Sequence, residues 1–521
     1  MRLTEILEKT AKEYSGKRAF TDLTESVTHG ELLKNAKRGG TFISENGIFN
    51  LPVAVFMKRS VSEICAFFAV LYSGNHYVPI DAEMPAARIK LIFENIKTRL
   101  IICDETTEKI ARQICDEDES CKCVLWADIV KQEVNEQVLS MAAEKASDTD
   151  PAYVLFTSGS TGIPKGVCCT HKNVEHYIRE FVRVIGINHD TIFGEQAPLY
   201  FDASLKEIYS CVFTGAEAVI VPKEYFMSPV RLIEFLNEQK INTICWVVSA
   251  LTIVSGLGTF DAVTPKFLHT ITAVGEVFPV KSYVAWRHAC PDAKIFNLYG
   301  PTECTGVSTY YEIPRDFGEK DCDTVIPIGK PFPGTRVFLT LENGNPEEDA
   351  NLPGEICIAG PGVSMGYYND PARTAESFVK ISGIASDEAK TTSGENETTS
   401  DETETIYKTG DIGYFDKDGN LVFVSRRDFQ IKHMGHRVEL GEIERNVMDI
   451  PEITECACTH NAENDKICLF YTGEIEKDAL TRALRNKLQK YMLPNKIVKL
   501  HKMPHTKTGK VDRKRLNEEE C

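Results

Sequence analysis

Residues 51–104 read LPVAVFMKRSVSEICAFFAVLYSGNHYVPIDAEMPAARIKLIFENIKTRLIICD. Short β-rich runs (LPVAVF, HYVPI, RLIIC) alternate here with stretches of helical texture (SVSEICAFFAVLY, ARIKLIFENI). Strands separated by helices predict a parallel sheet covered by helices, because each crossover must carry the chain back to the starting edge. The alternation returns in AEAVIVP (216–222), SPVRLIEFLNEQK (228–240) and INTICWVV (241–248), with a further helix near 279–289 before the strand AKIFNLYG. After residue 326 the texture changes to short strands and turn residues, as in TRVFLTLENGNP and PGEICIAGPGVSMGYY, which predicts a β-rich subdomain. Near residue 429 a smaller module begins, with helices expected over 439–448 and 477–491. The predicted class is α/β: a large N-terminal domain (1–427) of parallel sheets with helices plus the β-rich subdomain, and a small mobile α+β C-terminal domain (428–521). Residues 382–406, SGIASDEAKTTSGENETTSDETETI, hold almost no large apolar side chain and predict a disordered acidic loop.

At 521 residues the chain exceeds what one core usually serves. Hydrophobic residues at 42% and charged residues at 26% exclude a fibrous or wholly disordered protein. A formal net charge of -17 opposes binding to nucleic acid or anionic lipid, whose phosphates need clustered cations. One stretch departs from this: residues 485–515 carry eleven Lys or Arg against the single acid Asp512, as a solvated face or a docking surface for an acidic partner. The 17 cysteines show no C-x-x-C spacing, so no metal is assigned to them and reduced thiols are expected. The N-terminal MRLTEILEKTAKEY reads as an amphipathic helix, with Leu3, Ile6, Leu7 and Thr10 on one side and no signal-peptide core. The longest apolar run, ICAFFAVLY (64–72), is too short to span a bilayer, and a cytoplasmic location is expected.

The strand-like AYVLF leads into TSGSTGIPKG (157–166), whose small residues let backbone N–H groups approach a polyphosphate and whose hydroxyls add donors. Lys165 is followed by Gly166, so this is not the Walker spacing. Five further strings follow in order: FDAS (201–204), NLYGPTE (297–303), YKTGD (407–411), RRDFQIKHMGHRVELGEIE (426–444) and TGKVDRK (508–514). In these motifs, across nearly the whole chain, the sequence resembles the adenylate-forming superfamily of acyl-CoA synthetases, luciferases and nonribosomal peptide synthetase adenylation domains.

The resemblance implies ATP and Mg²⁺ as cofactors. It implies that Thr157, Ser158, Gly159, Ser160, Thr161, Gly162 and Lys165 hold the β- and γ-phosphates, that Tyr299 packs on adenine, and that Thr302 contacts phosphate. Glu303 is implied as the Mg²⁺ ligand, and Gly275, Glu276 and Arg426 join the nucleotide site. Asp411 is implied to take both ribose hydroxyls; two cis donors suit a bidentate carboxylate. Singly, each has an ordinary alternative: Tyr299 as core, Glu303 beside a helix dipole, Asp411 as a turn acid. Lys510 matches the lysine that reaches the α-phosphate and the substrate carboxylate, where a cation offsets the meeting of two anions; an exposed basic tail is the alternative. By the same resemblance the small domain turns at a hinge at Asp428 and exchanges Lys510 for the loop around Lys432 to Gly435, for thioester formation.

Asp202 stands where amino-acid-activating members keep an acid for the substrate ammonium; a helix cap is its alternative, with Ser204 able to cap instead. VGEVFPV (274–280), AKIFNLYGPTE and RDFQIK are especially similar to D-alanine:carrier-protein ligases. The implied side-chain pocket, Ala203, Lys206, Cys245, Thr272, Val274, Leu298, Gly306 and Val307, departs from that pattern at Val274 and Lys206. Lys206 either snorkels past the pocket or meets a polar or acidic substrate side chain. The expected activity is therefore an amino-acid ligase that makes an aminoacyl-adenylate and transfers it to the phosphopantetheine thiol of a separate carrier protein, since no carrier-like serine motif follows Lys510. The alternatives are an acyl-CoA synthetase for a non-amino acid and a nucleotide-binding scaffold without catalysis.

Overall fold

In a computed structural model of the chain, all residues are described except 160–162, 319–324, 341–351, 383–402, 462–463, 507–510 and 521. The opening alternation builds a six-stranded sheet in the order Lys122–Leu125, Leu100–Cys103, Pro52–Met57, His76–Asp81, Pro151–Thr157, Lys165–Thr170. Its pairings are parallel except the last. The helix between its first two strands in sequence, Val61–Tyr72, is apolar almost all round and buried on nearly every residue, as an interior helix must be. Ser60 caps it by accepting from the Glu63 N–H. The N-terminal helix Leu3–Glu13 buries Leu3, Ile6, Leu7 and Thr10, the predicted stripe.

A nine-stranded sheet carries the second alternation. Lys294–Tyr299, Thr270–Val274, Thr243–Val247, Ile192–Glu195, Glu217–Ile220 and Arg18–Thr21 lie side by side in parallel. The β-rich subdomain is an antiparallel sheet of Arg336–Thr340, Gly354–Ala359, Thr403–Phe415, Phe378–Ser382 and Leu421–Arg426.

That sheet corrects one expectation. Of the segment 382–406, residues 383–402 lie outside the described residues, but Ser382 and Thr403 to Ile406 are strand, with Ser382 paired to Thr403 and Val379 to Ile406. The reason is local: Ile406 is 2% exposed and packs in a cluster with Cys357 and Ala359, while Glu404 takes the guanidinium of Arg336. An acidic composition hid one buried apolar residue in an alternating run.

The apolar clusters of the large sheets take no described residue beyond Phe423, and residues from Val438 to Leu516 form two cores of their own. The strand Lys466–Gly473 explains both. Its Ile467, Leu469 and Tyr471 face a cluster with the helices Leu440–Met448 and Lys477–Arg485, while Cys468 and Phe470 face Met503 and Leu516. The helix expected over 477–491 stops at Arg485, and Lys490–Met492 forms a 3-10 turn after an extended Gln489.

Candidate functional site

A cleft enclosing about 1000 Å³, open mouth included, lies at the carboxyl ends of the parallel strands. Val247, Val274 and Tyr299, which end three neighbouring strands, line one side together with Thr302 and the Phe201 to Ala203 turn. The other side comes from the hairpin Gln430–His433 and His436–Glu439, which contributes Lys432, Met434, Gly435 and Arg437. Ligands of open α/β sheets bind at this end, where loops diverge.

The small-residue loop joins the antiparallel strands Pro151–Thr157 and Lys165–Thr170. Gly159 sits so close to the Ile163 carbonyl oxygen that an added Cβ would lie 2.2 Å from it, so no other residue fits. Thr157 lines the cleft with its hydroxyl unpartnered among the described residues, and Ser158 donates to the Arg437 carbonyl at 2.8 Å. Ser160, Thr161 and Gly162 lie outside the described residues. Lys165 is buried, its ammonium 3.1 Å from Glu303 and 3.2 Å from the Tyr367 hydroxyl. Burial, with Arg437 alongside, brings that ammonium down to about 8 against the pull of Glu303.

Glu303 is fully buried and accepts from three groups: Lys165, the Tyr367 hydroxyl at 2.8 Å, and Arg437 at 3.0 and 2.8 Å. Burial alone would raise its carboxyl, but Arg437 and then Lys165 outweigh it and hold it well below the usual range. Beside this cluster, Asp411 accepts the Tyr299 hydroxyl at 2.6 Å and the Arg426 guanidinium, which also grips Asp428 at 2.7 and 2.8 Å. Lys432 stands 5.8 Å over the Tyr299 ring. Gly275 lines the cleft, and Glu276 accepts two backbone N–H groups, from Ser249 at 2.7 Å and from Gly435 at 2.8 Å. Gly435 has φ +78, and a Cβ there would meet Val247 at 2.8 Å, so the hairpin tip reaches the cleft only as glycine.

Asp202 lies in the cleft wall on the 3-10 turn Asp202–Ser204. Burial pushes its carboxyl up, against a hydrogen bond with Thr302. Neither capping alternative is realised. The helix Leu205–Thr214 has no side-chain cap, and the Ser204 hydroxyl donates to the Phe201 carbonyl at 2.8 Å. Of the implied pocket, Ala203, Lys206, Val274 and Gly306 line the cleft. Cys245, Thr272 and Leu298 are at most 2% exposed and do not line it, and Val307 lines a separate cleft with Tyr177 and Phe332. These four are packed in the sheet core and the turn after it, where parallel strands bury both faces.

Lys510 lies outside the described residues. Its neighbours belong to the small domain: His505 pairs with Glu455 at 3.1 Å and Arg513 with Glu444 at 2.6 Å. The basic stretch is also less free than its composition implies, since Lys490 pairs with Glu83 at 3.0 Å and Lys499 with Glu476 at 2.9 Å. Two side chains of the Glu303 cluster were not singled out in the sequence, Arg437 and Tyr367. Arg437 sits inside a quoted motif, two residues past the Gly435 turn on the strand edge, which is the signal that could have found it. Among the described residues no helix is long and apolar enough to cross a membrane.

A family model described as "AMP-binding enzyme" matches residues 7–368. Bacitracin synthase 1 of Bacillus licheniformis is 32% identical over 99% of this chain, which spans 9% of that protein. The chain likewise spans 14% of surfactin synthase subunit 2 of Bacillus subtilis. Zwittermicin A synthase ZmaJ of Bacillus cereus is 30% identical over 94% of this chain and 90% of its own length. Among solved structures, holo-PA1221, described as an NRPS protein containing adenylation and PCP domains bound to a vinylsulfonamide inhibitor, superposes with a TM-score of 0.79. It is 26% identical, covering 99% of this chain and 84% of that one.

Proposed function

The chain belongs to the AMP-binding enzyme family, the adenylate-forming ligases, and from that membership we propose that it activates an amino acid as aminoacyl-AMP and passes it to the phosphopantetheine thiol of a carrier protein. The observation that carries the amino-acid part is Asp202. Its carboxylate lies in the cleft wall, and among the described residues no Lys, Arg or His nitrogen comes within 4.0 Å of it. Asp202 is half-buried, with Lys206 and Lys432 pulling on it from beyond 4.0 Å. A carboxylate in such a cleft without a directly paired cation is costly, and a substrate ammonium supplies one.

The nucleotide site is read in the same way. Tyr299 and Asp411 form the adenosine end in this reading, with Asp411, held by Tyr299 and Arg426, as the acid for the ribose hydroxyls. Thr157, Ser158, Gly159 and Lys165 form the phosphate end. Glu303 fits Mg²⁺ as one hard carboxylate ligand for an ion held otherwise by phosphate oxygens and water, where it would spread the charge of the leaving pyrophosphate. That the hairpin brings Lys432 and Gly435 to the cleft supports reading this arrangement as the one that serves thioester formation. Adenylation then requires the small domain to turn about Asp428 and bring Lys510 in.

Substrate-dependent pyrophosphate exchange tests this reading. Exchange is expected with amino acids and not with fatty or aryl acids, and Asp202→Ala is expected to weaken amino-acid binding far more than ATP binding. Exchange driven by non-amino acids would favour an acyl-CoA synthetase. The Lys510→Ala variant should lose adenylation while still forming thioester from supplied adenylate. An exchange rate unaffected by Lys510→Ala would favour a catalytically silent nucleotide binder.

A further inference from the structure

Lys206 is 1% exposed, yet it lines the cleft beside Asp202. It lies in the first turn of the helix Leu205–Thr214, where the dipole disfavours a cation, so helix stability does not account for it. Its ammonium donates to the Ala203 carbonyl at 2.8 Å, and among the described residues no carboxylate oxygen stands within 4.0 Å of it. A buried ammonium with one neutral acceptor and two free protons lacks a partner.

Lys206 pulls on Glu195, Glu207 and Asp202 from farther off, but among the described residues none of them closes an ion pair with it. Glu195 and Glu207 are both buried nearby, and Arg59 stands 3.8 Å from Glu195. Burial pushes both carboxyls up, Glu195 to about 7, with Arg59 pulling against it on Glu195. Asp202 is committed to the substrate ammonium in the reading above. Lys206 thus brings to the cleft a buried ammonium without a direct ionic partner, and Ala203, Val274 and Gly306, which line the cleft with it, bring no charge of their own.

We infer that the side-chain end of the cleft takes a carboxylate, so that the substrate is an acidic amino acid with its ammonium on Asp202 and its distal carboxylate on Lys206. The inference rests on the amino-acid reading of the site. It resolves Lys206 as a specificity-determining residue rather than a side chain passing to solvent, since its head group is buried with the rest of it.

The experiment is pyrophosphate exchange on the full chain with glutamate against glutamine and aspartate against asparagine, pairs that differ in charge but hardly in shape. For one of the two acids kcat/KM is expected to exceed that of its amide by at least tenfold, and of any neutral amino acid. In Lys206→Met the acid-to-amide ratio should fall to near one, and in Lys206→Arg it should be retained. The wild-type ratio needs no variant and so stands even if Lys206→Met folds poorly. A neutral amino acid preferred over both acids overturns the inference and leaves the amino-acid reading intact, and an acid preference that survives in Lys206→Met overturns the role of Lys206. Exchange only with acids lacking an amino group overturns the amino-acid reading itself, and this inference with it.

Discussion

Arg437, on the hairpin strand His436–Glu439, sets one guanidinium nitrogen 3.0 and 2.8 Å from the two carboxylate oxygens of Glu303, which follows the strand Lys294–Tyr299 of the large sheet. With Lys165 on the same carboxylate, two cations meet one anion at the phosphate end of the cleft. Under the proposed function this excess positive charge would draw a polyphosphate in. The same bonds tie the hairpin down, together with Gly435 on Glu276 and Arg88 on Glu442. A nucleotide that supplies phosphate oxygens to Lys165 and Arg437 competes with the clasp, so ligand binding and domain movement draw on one set of contacts.

The Arg437→Met variant tests the clasp. Truncating one partner of a desolvated ion pair costs about 2–5 kcal/mol, and Glu303 keeps Lys165, which places the loss near the low end. Hydrogen exchange at backbone amides of residues 430–439 in the nucleotide-free protein should accelerate at least about tenfold, as about 1.4 kcal/mol of lost closure already gives. Unchanged protection there would show that the clasp carries no closure energy.

Lys165 gives a pH dependence whose two signs differ. Its ammonium stands near 8 in the folded chain against 10.5 ordinarily. ATP affinity, measured by calorimetry, should therefore fall as pH rises through about 8, while Lys165→Arg, which stays charged, should hold it to above pH 9. Stability runs the other way: between about 8 and 10.5 the unfolded chain binds the extra proton, so this group makes the fold more stable as pH rises. A decline in affinity over that window cannot come from unfolding at Lys165.

The parallel sheets were legible because strand and helix periods alternate in 51–104 and again in 216–248. The residues proposed for the adenosine and phosphate ends fall in short ordered motifs, and Thr157, Tyr299, Asp411 and Arg426 from four of those motifs line one cleft. What the sequence hid depends on orientation. Cys245 and Thr272 lie in strands buried on both faces, so no alternation tells which side chains reach the cleft. Arg437 acts on Glu303 only because Met434 and Gly435 both take positive φ and fold the hairpin tip back. Nothing in a run of charges such as 485–515 says which are already paired.

That pairing alters where a carrier protein would be felt. Arg513 stacks 4.2 Å over the Phe429 ring and pairs with Glu444, and Lys490 is paired with Glu83. Replacing Arg513 should destabilise the small domain. The exposed Arg485 and Lys502 are better probes of docking. In a variant with both changed to Glu, the KM for a carrier protein should rise at least about threefold at low salt, and the effect should shrink as salt screens it. Pyrophosphate exchange without carrier should not change. An unaltered KM at low salt would remove this face from the docking surface.

His76 is one of the burial-shifted histidines that weaken the fold in acid. It is 2% exposed, with neither ring nitrogen partnered among the described residues, and burial holds it at about 4. Burial likewise holds His29 and His171 at about 4, and His436, stacked 3.7 Å from the Tyr491 ring, at about 3. In each case the folded value lies below the ordinary 6.5, so on acidification the unfolded chain takes the proton first. The stability these neutral rings contribute is complete above about 6.5 and is lost as pH falls from there toward 4. From pH 7 to pH 5 each such ring should cost about 2 kcal/mol. Denaturant unfolding at the two pH values should show this loss, and His76→Leu, which cannot charge, should remove about one ring's share of it. An identical pH slope in His76→Leu would mean that His76 is protonated as easily in the folded chain as in the unfolded one.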